Sequence, residues 1–224
     1  MKIQLPFDKN YRISQLFGNP APMYTNLGLK AHNGIDFACP TGTPIKAVAS
    51  GKVEFVGQDD KAGKGIYIIS ELEGQPYRFI YWHLKSFNCE VGDTVEVGQV
   101  IGISNNTGMS TGSHLHFGCK PLELVNGIYQ DKIHNNSFNG AIDTFEMFTE
   151  LDIGTYKIMS SPIPYSQFVK KIQELLNKCG FDLITDGKFG KKTEQAIIAF
   201  QTKNGLKIDG VCGKATIAKL LSKV

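Results

Sequence analysis

Four of the five histidines stand in three short motifs: His32 in H-N-G-I-D, which ends at Asp36, His83 in Y-W-H-L, and His114 with His116 in H-L-H. A catalytic zinc ion is held by three protein ligands and keeps a fourth position open for water, whose pKa it lowers towards ~7. These motifs supply a three-ligand set and leave two imidazoles over for proton transfer. That is the inventory of a metal-assisted hydrolytic centre. The fifth histidine, His134, belongs to no pattern and reads as a surface residue.

The elements carrying these residues must bring them together. In a β-strand His114 and His116 project to one face while Leu115 points into the core, so both rings reach one metal centre, one as ligand and one as a nearby base. The same alternation puts Tyr81 and His83 on one face, with Trp82 and Leu84 on the other. His32 and Asp36 are four apart around Gly34 and converge only if the chain bends or makes a helical turn there. Strand-like runs separated by glycine turns occupy 44–57, 65–70, 77–84, 94–104 and 114–118. Their period-two alternation predicts antiparallel sheets with one buried face over residues 1–150.

The segment S-S-P-I-P-Y (160–165) reads as a linker, and beyond it the texture becomes helical. Phe168, Ile172, Leu175 and Leu176 form one apolar stripe; Ala196, Ile197 and Phe200 repeat it, as do Ile217, Leu220 and Leu221. D-G-K-F-G-K-K-T (186–193) and D-G-V-C-G-K-A-T (209–216) agree at five of eight positions. Each Asp-Gly predicts a turn and each Thr the start of a helix. A bundle of about three helices with two related loops follows.

A chain of 224 residues with 42% apolar and 20% charged residues is an ordinary globular protein of one domain plus a smaller one. Residues 1–150 carry 12 Lys+Arg against 15 Asp+Glu, a net of −3, and residues 151–224 carry 12 Lys against 6 Asp+Glu, a net of +6. The basic tail suits an anionic surface, or is a lysine-rich solvated face. The five cysteines (Cys39, Cys89, Cys119, Cys179 and Cys212) are odd in number and form no C-x-x-C pair, which predicts free buried thiols and no metal role. The first ten residues show no apolar leader, and no run reaches membrane-spanning length.

H-x-x-x-D, Y-x-H-L and H-L-H in this order resemble the M23 family of zinc metallopeptidases, the lysostaphin-type peptidoglycan endopeptidases. The stretches G-I-D-F, T-P-I-K-A-V-A-S-G-K-V, V-G-D-T-V-E-V-G-Q-V-I-G and N-T-G-M-S-T-G carry the resemblance across residues 30–120. It implies a single zinc ion on His32, Asp36 and His116, with His83 and His114 as the catalytic pair. Water on the metal would attack a peptide carbonyl while the two histidines exchange protons, with the base and the acid of the pair left unassigned. Tyr24, upstream of His32, is a candidate substrate-binding residue on the oxyanion side. Residues 165–221, through D-G-x-F-G-x-x-T and A-x-x-x-F-Q-x-x-x-G-L-x-x-D-G, resemble three-helix peptidoglycan-binding domains. Lys191 stands where that family often has proline.

Rival readings leave residues without a role. A two-His-one-carboxylate iron site would not use His83 or His114. A biotinyl or lipoyl carrier, suggested by D-K-A at 60–62, would use none of the histidines, and Lys61 sits in a polar loop better suited to capping a hairpin. A silent wall-binding or activating relative would lack a ligand, and none is missing. The expected architecture is therefore an all-β antiparallel M23-type sandwich (1–150), a linker (151–164) and an all-α peptidoglycan-binding domain (165–224). The expected activity is zinc-dependent cleavage of wall peptides, with peptidoglycan as substrate and anchor. No nucleic acid, membrane insertion or obligate protein partner is expected. Cytoplasmic synthesis without a leader and action on the wall after lysis, as in a phage endolysin, is the expected route; a secreted autolysin is the alternative. The loops 20–31, 58–64, 85–90 and 104–113 are expected to line the groove.

Overall fold

The computed structural model describes residues 2–8, 11, 13–144, 147–148 and 167–223, with the side chains of Gln167, Phe168 and Lys214 excepted. The expected linker, 151–164, and the side chain of Phe168 lie outside this set. The chain divides into two compact units, the first formed mainly by Ala21–Glu150 and the second holding the C-terminal helices.

The first unit begins with β1 (Ile13–Gln15), α1 (Pro22–Asn26) and β2 (Ile35–Phe37), followed by β3 (Pro44–Lys46), β4 (Gly51–Asp59) and β5 (Gly63–Leu72). It continues through β6 (Gln75–Phe87), β7 (Thr94–Val95), β8 (Val100–Ser104), β9 (Leu115–Val125) and β10 (Ile128–Asp131). The sheet runs in the order β1-β2-β9-β6-β5-β4-β7, with β10 on β9 and β8 joining β6 and β3. Every pairing of these strands is antiparallel. Two hairpins close through turns whose central residues both have positive φ: Glu73-Gly74 (52° and 79°) and Asn126-Gly127 (52° and 80°). Such turns match the twist of the strands they join.

One face of the sheet is the core. Ile66, Ile68, Phe79, Tyr81, Leu115 and Phe117 are fully enclosed. Tyr81 meets Phe117 edge-on at 5.4 Å, and its hydroxyl accepts a hydrogen bond from Val48 N–H at 3.0 Å. All five cysteines are free thiols, four of them buried, and His134 is exposed.

The second unit contains α2 (Gln167–Lys178), α3 (Lys191–Lys203) and α4 (Lys214–Leu221). Ile172, Leu175, Leu176, Ala196, Ile197, Phe200 and Leu220 form its core, joined by Val169 and Phe189. Leu221 departs from the expected stripe: it is 54% exposed. The buried line on α4 runs through Thr216 and Leu220, and the next residue is turned about 100° further round the helix.

The two Asp-Gly loops share one internal frame, in which a buried glutamine from the preceding helix fills the turn. Gln173 Oε1 accepts Gly187 N–H at 2.9 Å, and its Nε2 reaches Asp186 Oδ1 at 3.0 Å, Lys188 O at 3.1 Å and Thr193 Oγ1 at 3.2 Å. Gln201 repeats this with Gly210 N–H (3.0 Å), Asp209 Oδ1 (3.0 Å), Val211 O (2.8 Å) and Thr216 Oγ1 (3.2 Å). The threonines therefore do not begin the helices. Gly190 and Gly213 are the N-caps, and Thr193 and Thr216 lie buried inside the first turn as partners of the glutamines. Gly187 and Gly210 both sit at φ 69°, a left-handed conformation that glycine adopts without strain.

Gln201→Ala strands the buried Gly210 N–H and Val211 O, at about 1–3 kcal/mol for each buried group left unpaired. In so small a core the expected result is a loss of about 2–4 kcal/mol from the helical unit. Urea unfolding of the full chain followed by helical circular dichroism checks it. An unchanged midpoint would show that the glutamine does not close the loop.

Candidate active site

Three elements meet at His32, Asp36 and His116. β2 pairs with β9 so that Asp36 lies directly opposite His116, which places the two side chains on one face. His32 precedes β2 and reaches the same point because the chain bends at Gly34, passing beneath the His116 ring. A Cβ at Gly34 would lie 2.6 Å from His116 Cε1 and 2.6 Å from Phe117 O. The bend required around Gly34 is thus present, and only glycine fits it. Gly34→Ala is expected to displace His116 and weaken metal binding by about 10- to 100-fold, the range seen when support of a ligand is lost. Competition with a zinc chelator measures it; unchanged affinity would mean that the ring shifts freely.

His32 Nε2, His116 Nδ1 and Asp36 Oδ1 form a small triangle: 2.9 Å between the two nitrogens, 3.0 Å from His116 to Asp36 and 3.1 Å from His32 to Asp36. His32 Nδ1 lies 3.0 Å from Leu16 O, a pure acceptor, so that nitrogen carries the proton and Nε2 presents its lone pair to the carboxylate. Lone pairs facing each other at such distances repel unless a cation lies between them. Ligands about 2.0–2.2 Å from a tetrahedral zinc stand roughly 3.3–3.6 Å apart, so the triangle fits the ion after a few tenths of an ångström of opening. The set of two nitrogens and one carboxylate oxygen suits zinc chemically. Among the described residues this is the one group of three or more His, Cys, Asp or Glu side chains arranged to hold a metal.

Burial alone would raise the Asp36 carboxyl, but the adjoining His32 and His116 outweigh it and hold the group well below the usual carboxylate range. Burial lowers His116, against the pull of Asp36. The centre thus keeps Asp36 ionised and favours the neutral form of His116, the protonation states that metal ligands require.

His83 and His114 stand beside this triangle, their ring centroids 4.4 Å apart. His83 Nδ1–H donates to Thr107 O at 2.7 Å, and His114 Nδ1–H to Gly112 O at 2.8 Å. Because a carbonyl only accepts, each ring keeps Nε2 as its free lone pair. His114 Nε2 lies 3.6 Å from Asp36 Oδ2. Burial, reinforced by the neighbouring His114, pushes His83 down to about 4.

Tyr81 and His83 do not share a face: Tyr81 points into the core, while His83 and Trp82 both line the site pocket. Lys64 opposes Leu84 and Ile66 opposes Tyr81, so β6 carries one more residue than β5 across this interval. His83 has φ 67°, a left-handed conformation rare outside glycine. This β-bulge resets the alternation and turns the ring towards the metal site. His114 and His116 do share a face, with Leu115 enclosed behind them.

Tyr24 lies on α1, its ring 5.5 Å from His32, at the edge of the same pocket. Burial, then the Asp36 charge, raises its phenol far above the ordinary value, so it stays a neutral O–H donor. Met23, Leu29, Lys61, Met109 and Thr111 continue the walls, which places parts of the 20–31, 58–64 and 104–113 loops at the site. The 85–90 loop is a correction. It borders a different cavity with Val56 and Asp93, because beyond the bulge β6 turns to pair with β8, Leu84 opposite Ser104 and Phe87 opposite Gly102. Thr107 and Gly112 were missed as site residues. Both act through backbone carbonyls, which leave no mark on residue type; their one signal was membership of the N-T-G-M-S-T-G run.

Residues 30–131 match peptidase family M23. The crystallised catalytic domain of lysostaphin from Staphylococcus simulans is 37% identical, the match covering 54% of this chain and 88% of that one with a TM-score of 0.45. Residues 30–131 form a peptidase family M23 domain. Glycyl-glycine endopeptidase ALE-1 of Staphylococcus capitis is 38% identical over 122 residues, which are 54% of this chain and 33% of that protein. Peptidoglycan DD-endopeptidase ShyC of Vibrio cholerae is 37% identical over 121 residues, 54% of this chain and 26% of that protein. The chain thus spans about a quarter to a third of the length of these curated relatives. Residues 165–220 match the peptidoglycan binding domain family. M23 metallopeptidases are zinc-dependent, and in this M23 domain His32, Asp36 and His116 are placed to hold the ion.

Proposed function

We propose that this chain is a zinc-dependent peptidoglycan endopeptidase that hydrolyses peptide bonds of wall stems or cross-bridges. The observation that carries the reading is the His32–Asp36–His116 triangle, with two further histidines beside it whose Nδ1–H groups are each held by a backbone carbonyl. His32, Asp36 and His116 hold the ion, which when bound supplies a Lewis acid for the scissile carbonyl and a water that ionises near neutral pH. His83 and His114 move the protons: one Nε2 accepts the proton of the attacking water, and the protonated pair returns it to the departing amine. Their fixed Nδ1–H bonds keep both rings in the tautomer this needs. Tyr24, neutral and donor-capable at the pocket edge, hydrogen-bonds the developing oxyanion. The walls of the pocket hold the peptide on either side of the scissile bond.

Of the two relatives named above, one is by its name a glycyl-glycine endopeptidase and the other a peptidoglycan DD-endopeptidase, which supports the reading. The helical unit holds the enzyme to its polymer, supported by its family match and its charge of +6 over residues 151–224. The test is mass spectrometry of fragments released from a directly cross-linked and a glycine-bridged peptidoglycan, with wild type and His116→Ala. New amino termini that vanish in the variant support the reading and identify the bond. Release that persists in His116→Ala, or no release from either wall, overturns it.

A further inference from the structure

We infer that the tip of the β4–β5 hairpin is a positioning device for both catalytic histidines, acting through Thr107. This rests on the proposed roles of His83 and His114. The Nδ1–H groups of both rings donate to carbonyls of one loop, residues 105–113, at Thr107 and Gly112. The ends of that loop are held by Thr41, whose hydroxyl meets Asn105 Oδ1 at 3.3 Å and Ser113 Oγ at 3.0 Å, and by Asn105 N–H on His83 O at 2.9 Å, whereas its middle is fastened to the hairpin. Thr107 Oγ1 accepts Lys64 N–H at 3.0 Å and donates to Leu84 O at 2.9 Å, so one hydroxyl ties the loop to β5 and to β6 immediately after the His83 bulge. Met109 N–H donates to Lys61 O at 2.6 Å.

The fit between loop and hairpin is tight. Gly63 and Gly108 lie against each other at φ 75° and 76°. A Cβ on Gly63 would fall 2.4 Å from Thr107 C, and one on Gly108 would fall 2.4 Å from Gly63 N. The tip itself is stiffened by Asp59, whose Oδ1 accepts Lys61 N–H at 2.8 Å and Ala62 N–H at 2.7 Å. From this anchor the loop reaches His114: Ser110 N–H donates to Gly108 O at 3.0 Å, and Ser110 Oγ to Gly112 O at 2.9 Å. Thr107 does not line the pocket, so it acts on the reaction through His83 and not by touching substrate. A carbonyl that shifts releases the ring it orients, and misplacement of a reacting group by about 1 Å costs up to roughly 100-fold in rate.

The experiment compares zinc-loaded full-length wild type, Thr107→Val, which keeps the shape and removes the hydroxyl, and Thr107→Ser, which keeps the hydroxyl. Imidazole nitrogen NMR reads the tautomer of His83, and hydrolysis of wall fragments gives kcat and KM. Thr107→Val is expected to lose the single Nδ1–H tautomer and to lower kcat about 10- to 100-fold with KM little changed, zinc content and Tm staying near wild type. Thr107→Ser is expected to restore both. A Thr107→Val protein that keeps one tautomer and its kcat overturns the inference, as does a fall in kcat that Thr107→Ser does not rescue. The NMR arm needs no substrate. An inactive wild type whose tautomer still depends on Thr107 would therefore end the proposed function and leave the positioning role standing.

Discussion

Asp36→Ala is expected to abolish zinc retention and to lower peptide-bond cleavage by at least about 10³-fold, which corresponds to roughly 4 kcal/mol of transition-state stabilisation. Asp36 supplies the one carboxylate of the metal triangle and its one negative charge, ionised because His32 and His116 outweigh burial. Its second oxygen faces His114 Nε2 at 3.6 Å, so its removal strips a counter-charge from the catalytic pair as well. Asp36→Asn keeps the shape but loses the charge and is expected to fall nearly as far. Zinc stoichiometry by elemental analysis and cleavage rates on the same preparations check both variants. A variant that binds one zinc at wild-type affinity would refute the assignment of Asp36 as a ligand.

The second large effect separates proton transfer from metal binding. His83→Ala and His114→Ala are each expected to lower kcat by about 10²- to 10⁴-fold, the contribution of a positioned acid–base group, while one zinc per chain remains bound. Neither ring belongs to the ligand triangle, so the metal has no reason to leave. If the two rings work as one relay, the double variant falls little further than the worse single variant, because groups acting as a unit do not contribute independently. Rates for the two singles and the double, with zinc measured on each, decide this. Multiplicative losses would mean two separate functions, and loss of zinc from either single variant would place that histidine in the metal shell.

The candidate site was legible because its chemistry is carried by residue types at short spacing. H-L-H needs only extended chain to put both rings on one face, and β9 with the His114–Asn105 bridge just before it provides that. H-N-G-I-D left open whether the chain bends or coils; Gly34 shows that it bends, and the His116 ring above it excludes any other residue. Alternation failed at Y-W-H-L. Alternation presumes an unbroken ladder, and the extra residue opposite Gly65 lies in the pairing between β5 and β6, not in the motif. The helical unit shows the same division. Its apolar stripes and Asp-Gly turns stood in the sequence, whereas the role of Gln173 and Gln201 did not, since a glutamine on an amphipathic helix looks like any solvated side chain until the loop it fills is folded against it.

What the sequence by itself determined is therefore the inventory: the residue types gathered at the site, the antiparallel all-β unit followed by helices, the free thiols and the family. These depend on side-chain chemistry and on periodicities of two and 3.6 residues, which are local properties of a chain. What only the tertiary structure decided is orientation: which way His83 points, which nitrogen of each ring is free, and that one loop locked to a hairpin tip holds both. Those outcomes turn on backbone carbonyls and on a single bulge. Such features are set by the packing of segments distant in the chain, and no residue type announces them.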